Sequence, residues 1–344
     1  MDRVVVCDRA YIVWKFPCRR GLCSPRSSHF IGGAIEMICG VNTGRTPAQM
    51  VWRRFRRHNL AVSSALALVI FSIAALLAPV FEMGMDLDAN AADLFNRFQA
   101  PSATHPLGTD ELGRDLFLRL LYGGRVSLFV GLVAAAFATV IGTTVGLIAG
   151  YFGGRTDAIL MRLTDGVISL PLLPLLIVLA AIDLSKLGLP EPVTELDSAS
   201  LYRIIFIVSL AGWTTVARLV RASTLSIKQR TFVIAAVAQG GGPLRIMRIH
   251  ILPNLASPII VATTMAAGNI ILLESVLSFL GLGIQPPIPS WGNLLTNAQE
   301  MIWEAPYQAV YPGILIFTTV IAFNFLGDGL QDALDPRATQ DFRD

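Results

Sequence analysis

Charged side chains are scarce in this chain: Asp, Glu, Lys and Arg make up 15% of its 344 residues, against 53% apolar ones. That balance excludes an ordinary soluble fold, in which about a quarter of residues are charged, and points to a protein that resides in lipid. Cysteine is nearly absent. Cys7, Cys18, Cys23 and Cys39 all precede the first long apolar run, and their irregular spacing excludes a zinc pattern or a disulfide framework. The four histidines, His29, His58, His105 and His250, are scattered, so no metal cluster is expected, and no other cofactor. No G-x-x-x-x-G-K-[ST] run occurs, which excludes a phosphate-gripping loop of that kind. The basic residues form no stripe with interleaved aromatics and the net charge is only +3, which excludes nucleic acid as a partner. The first 49 residues lack the single apolar core of a secretory signal. They read as a polar extension, or as sequence upstream of a start at Met50.

Long apolar runs are what the chain has. A hydrocarbon layer about 30 Å thick needs about 20 residues of helix, and six runs qualify: Leu60 to Val80, Val126 to Gly150, Gly166 to Ile182, Ile204 to Val220, Ile251 to Leu273 and Pro306 to Gly327. The expected fold is therefore an all-α integral membrane protein with six transmembrane helices. Residues 50–125 would hold the first helix and an outside loop, 126–332 a five-helix core, and 333–344 a tail. Arginines crowd residues 52–58, and residues 221–252 carry five Lys or Arg and no acid. Both segments are expected on the cytoplasmic side. Asp183, Glu191, Glu195 and Asp197 against Lys186 mark an outside segment, and six crossings then keep both termini in the cytoplasm.

Two outside segments invite structure of their own. In residues 110–125, Leu112, Leu116 and Leu120 share a helical face, with acids in the first turn and Arg125 at the end, which predicts a separate interfacial helix. Residues 283–306 are broken by prolines and carry Trp291 and Trp303, residues suited to a membrane-water boundary. This segment reads equally as a lid or as a plain connector. Within the second run, Gly142, Gly146 and Gly150 recur every four residues and predict close helix packing. Pro171 and Pro174 predict a break in the third run.

The stretch TFVIAAVAQGGGPLRIMRIHILPN, residues 231–254, differs from its surroundings. Residues 231–239 predict two helical turns, Gly240 to Gly242 end them, and Pro243 suits the first turn of a second short helix. Such an angled pair is either a rigid knob for a soluble partner or an amphipathic loop resting on headgroups.

The same stretch resembles the cytoplasmic signature of permease subunits of ATP-binding-cassette importers. In that signature a glutamate and two alanines are followed by a glycine and later by Leu-Pro. The alanines match Ala235 and Ala236, the glycine Gly240 and the final pair Leu252 and Pro253, whereas Ile234 stands where the signature has glutamate. HPLGTDELGRDLFLRLLYGGRVSL from His105, GYFGGRTDAILMRLTD from Gly150, SFLGLGIQPPIPSWGNLL from Ser278 and FNFLGDGLQDALDPR from Phe323 resemble the oligopeptide and dipeptide permease C-type subunits. The resemblance implies a type I importer transmembrane fold in a bacterial inner membrane. It also implies a second homologous permease subunit, two ATPase subunits and an extracytoplasmic solute-binding protein as partners. Residues 234–236, Gly240, Leu252 and Pro253 would then couple to the ATPase.

On this reading the chain is a transport subunit and not itself an enzyme, with di- or oligopeptides as the implied solutes and nickel or another small solute as the alternative. An ion-coupled secondary transporter would need acids near mid-membrane, yet Arg162, Asp165, Arg218 and Glu274 fall at the ends of the runs. A membrane hydrolase would need a nucleophile with its base in a span, and none is visible.

Overall fold

A computed structural model describes residues 47–85, 87–182, 199–296 and 298–334. The four cysteines, the acidic segment 183–198 and the tail from 335 lie outside the described residues. Among these residues the architecture is helical, with one isolated bridge between Thr109 and Asp115. Helix α1 spans Pro47–Phe55, α2 Asn59–Leu76, α3 Ala78–Met85, α4 Leu116–Phe152, α5 Gly154–Ser169, α6 Leu172–Ala181, α7 Ala199–Lys228 and α8 Thr231–Ala238. A run of irregular helical turns from Pro243 to Leu255 then leads into α9, Ala256–Phe279, and α10 spans Tyr307–Leu334.

Among the described residues, five helical segments are long and apolar enough to cross a membrane, and α5 with α6 supplies a sixth if the bent pair counts as one span. Their outer faces show why water is the wrong solvent: Leu66, Ile70 and Ile73 of α2 are each more than half exposed. Inside, Val130, Ala134 and Ala138 of α4 meet Val208 and Ala217 of α7 and Ile270 of α9 in the main core. Small residues there let the backbones approach closely.

The third run breaks as Pro171 predicts, though more sharply than a kink, while Pro174 sits within the first turn of α6 and breaks nothing. Instead of one span over residues 166–182, α5 and α6 meet at 86° across Leu170 and Pro171. Pro171 has no N–H to continue the α5 ladder and disfavours helical geometry at Leu170, so α5 ends there and α6 starts afresh.

The expected separate interfacial helix over residues 110–125 does not form. Residues 110–115 fold into a tight turn in which Asp110 Oδ1 accepts from the backbone N–H groups of Leu112 and Arg114, both at 2.9 Å. Asp115 then caps α4, accepting from Leu118 N at 2.8 Å. From Leu116 the chain is a single 37-residue helix to Phe152. Asp110 thus organises the turn before the helix, and Asp115 rather than the acids at 110 and 111 starts it; the helix that follows is the transmembrane one.

Candidate functional site

The segment 231–255 forms an elbow built on a small apolar anchor. Val233 of α8 is 1% exposed and joins Ile246, Ile251 and Leu255 in a cluster with Val216 and Val220 of α7. Gly240 takes φ +82°, which a residue with a side chain adopts only at a cost. Gly241 lies so close to Ala236 that a β-carbon would meet its carbonyl oxygen at 2.8 Å. Pro243 opens the next turn, as its fixed φ favours. The following residues make a π turn at Ile246–Ile251 and a tighter one at Leu252–Leu255, so α9 starts three residues beyond Pro253. Of the signature positions, Ile234, Ala235, Gly240 and Pro253 are exposed, whereas Ala236 and Leu252 are partly buried. The elbow is thus held by residues the signature does not name, and it presents most of those it does.

Two devices fasten this elbow to the helices above it. Gly142, Gly146 and Gly150 of α4 face α7 at very short range: β-carbons there would stand 2.6 Å from Trp213 O, 2.4 Å from Ala217 O and 2.7 Å from Thr224 Cβ. Between those contacts on α7, Arg221 donates through Nε and NH2 to the two oxygens of Asp157 on α5. Arg218 pairs with Asp165 of α5 at 2.5 Å. Of the charges expected at the ends of spans, Arg218 and Asp165 are therefore partners of one another, and with Arg221 and Asp157 they tie α5 to α7, the helix that leads into α8. In sequence Asp157 and Arg221 are 64 residues apart, and no local pattern joins them.

Between the bend of α5–α6 and the inward faces of α7 and α9 lies an open cavity of about 1000 Å³. Leu170 and Leu172 at the bend line it, in keeping with the rule that irregular backbone at membrane depth borders a cavity. Its wall is mostly apolar, with the exposed Thr215 and Asn269 among its few polar groups. Neither residue belongs to a motif.

Near the other end of α9 the structure overturns two expectations. Glu274 does not end its span. It is fully buried inside α9, which runs on to Phe279, and it accepts from Ser278 Oγ at 2.7 Å and Ser127 Oγ of α4 at 3.3 Å. Trp291, expected at a membrane surface, is 2% exposed. It lies against Gly123 and Gly124 of α4, with its indole Nε1 donating to Leu120 O at 2.9 Å and its backbone N to Ser127 Oγ at 3.1 Å. Trp303, by contrast, is 92% exposed. The segment 283–296 is therefore pinned to α4 and α9 rather than strung loosely between helices. The Ser-rich, Gly-rich setting of Glu274 could have signalled a satisfied buried acid, but its partner Ser127 is 147 residues away.

Comparison with known proteins agrees with this architecture. Residues 142–340 match the family described as the inner membrane component of binding-protein-dependent transport systems. Residues 46–101 match the N-terminal transmembrane domain of oligopeptide transport permease C. The dipeptide transport system permease protein DppC of Alkalihalophilus pseudofirmus is 38% identical over 295 residues, 86% of this chain and 91% of its own length. The glutathione transport system permease protein GsiD of Pectobacterium atrosepticum is 40% identical over 293 residues, 85% of this chain and 92% of its own. GsiD of Escherichia coli O157:H7 is 40% identical over 294 residues, 85% and 91%. With its bent third span, its elbow between α7 and α9 and these relatives over nearly all of the described helices, the chain belongs to the family of inner-membrane permease components of binding-protein-dependent, ATP-binding-cassette importers.

Proposed function

We propose that this permease subunit pairs with a second, homologous one to enclose a path for small peptides. In this reading two ATPase subunits dock from the cytoplasm, one of them on the elbow at residues 231–253, and a solute-binding protein delivers the peptide from outside. The observation that carries the reading is the elbow itself: signature residues held outward by a buried apolar anchor, at a fixed angle set by Gly240. Ile234 and Ala235 touch the ATPase, Ala236 and Gly240 permit close approach and the corner, and Leu252 with Pro253 sets the return to α9. The arginines at 53, 54, 56 and 57 and the cations from Lys228 to Arg248 support placing both termini in the cytoplasm.

Closure of the ATPases around ATP biases the access state of the pore through the elbow. Moving such an equilibrium from 1:99 to 99:1 takes about 5.5 kcal/mol of differential binding, within reach of one well-packed docking face. The relatives named for a dipeptide and for glutathione favour a short peptide as solute. Thr215 and Asn269 are suited to hydrogen-bond its amides as it passes. The test is uptake of labelled dipeptide and of labelled glutathione into vesicles holding the complete complex. ATP-dependent, ionophore-insensitive uptake of at least one is expected. Uphill transport by this chain alone would overturn the reading.

A further inference from the structure

We infer that the ATPase docks here through an apolar pocket that receives Ile234, flanked by acidic side chains, with no cation opposite that position. The inference rests on the docking reading of residues 231–253 and specifies its chemistry. With Val233 turned into the core, the stripe of α8 that points away from it consists of Thr231, Ile234, Ala235 and Ala238, at the spacing of one helical face. All four are exposed, and Ile234, at 56%, is their one large side chain. The stripe is a single branched aliphatic knob on a floor of small residues, a shape that anchors by filling a hole.

No residue of α8 carries charge. A cation facing Ile234 would be taken out of water with nothing on α8 to pair with it, which is costly. Along the rest of the elbow the chemistry reverses. Arg230 at the start of α8 and Arg245 and Arg248 in the next turns are exposed, and residues 221–250 contain no acid at all. An apolar knob on an elbow that carries only cations calls for a pocket flanked by acids, which steer the encounter while the knob supplies the hold. Phe232 and Val237 of α8 are also exposed but flank this stripe rather than belong to it, so a lipid surface meeting the stripe would gain one large side chain and no charge from the helix.

The test replaces Ile234 in the complete transporter and measures how much ATPase stays on the purified permease pair, with ATP-driven uptake alongside. Ile234→Val should lose least, Ile234→Ala should lose several-fold, and Ile234→Glu at least ten-fold. Arg245→Glu should weaken retention and flatten its dependence on salt. Because Ile234 is exposed, yield and melting of the permease pair should not change. Should Ile234→Glu impair assembly, Ile234→Gln, equally long but uncharged, should still lose several-fold. ATPase retention by Ile234→Glu or Ile234→Gln equal to the parent's would overturn the apolar pocket. A photo-crosslinker at Ala238 separates the two levels: adducts with ATPase beside unchanged Ile234→Glu retention reject only the pocket, whereas adducts with phospholipid alone reject docking itself.

Discussion

Replacing Gly146 by alanine probes the contact on which the position of α7 depends. The added carbon would stand 2.4 Å from Ala217 O and 2.9 Å from Val220 Cβ. Ordinary contact needs about 3.5–4.0 Å, so α7 must retreat by roughly 1 Å or the helices must strain. Overpacking of this kind costs about 1–3 kcal/mol. Alanine also raises helix propensity by about 1 kcal/mol over glycine, so a control must carry the same gain without the clash. Gly166 of α5 supplies it, with nothing within 4 Å of its would-be β-carbon. Measured by detergent-titrated unfolding of the purified chain, Gly146→Ala should lie about 1–3 kcal/mol below Gly166→Ala. Vesicle uptake should fall with Gly146→Ala, because Val220 and Val216 of α7 belong to the cluster that anchors the elbow. Equal stability of the two variants would refute the packing account.

Gly240→Pro demands φ near −65° where the chain has +82°. It should abolish uptake while membrane insertion, followed by yield in the membrane fraction, stays normal. Asp157→Asn removes the charge that Arg221 engages with two bonds. It should destabilise the chain by about 1–3 kcal/mol, the range for hydrogen bonds to charged groups, with Asp157→Glu recovering part in the same unfolding assay. Trp291→Ala should cost about 3–5 kcal/mol, as for other large buried aromatics, and should expose residues 283–296 to proteolysis in outward-facing vesicles. Resistance equal to the parent would mean that other contacts hold the segment.

Hydropathy and helix punctuation made much of this architecture readable in advance. Apolar run length marked the five spanning helices and the region of the bent pair α5–α6, Pro171 announced the break, and the Gly240–Pro243 run announced the elbow, because each acts through local backbone geometry. What could not be read depends on partners distant in sequence. Leu112, Leu116 and Leu120 look like an interfacial face until Asp115 caps the helix and α4 continues unbroken past Arg125. Glu274 resembles a boundary charge until Ser127 and Ser278 are seen to satisfy it. Trp291 resembles a surface anchor until Gly123 and Gly124 open a slot for its ring. Thr215 and Asn269 carry no signal at all, since a cavity wall has no period.

The unbroken length of α4 has a mechanical corollary. At about 1.5 Å per residue its 37 residues extend roughly 55 Å, while the hydrocarbon layer takes only about 30 Å. One stiff rod thus reaches from the turn that Asp110 organises at one end to the glycine ladder gripping α7 at the other. Rocking such a rod by about ten degrees swings one end by roughly 10 Å relative to the other over that length. Events at the two membrane faces can therefore be geared to each other by leverage alone, with no chain of intermediate rearrangements between them.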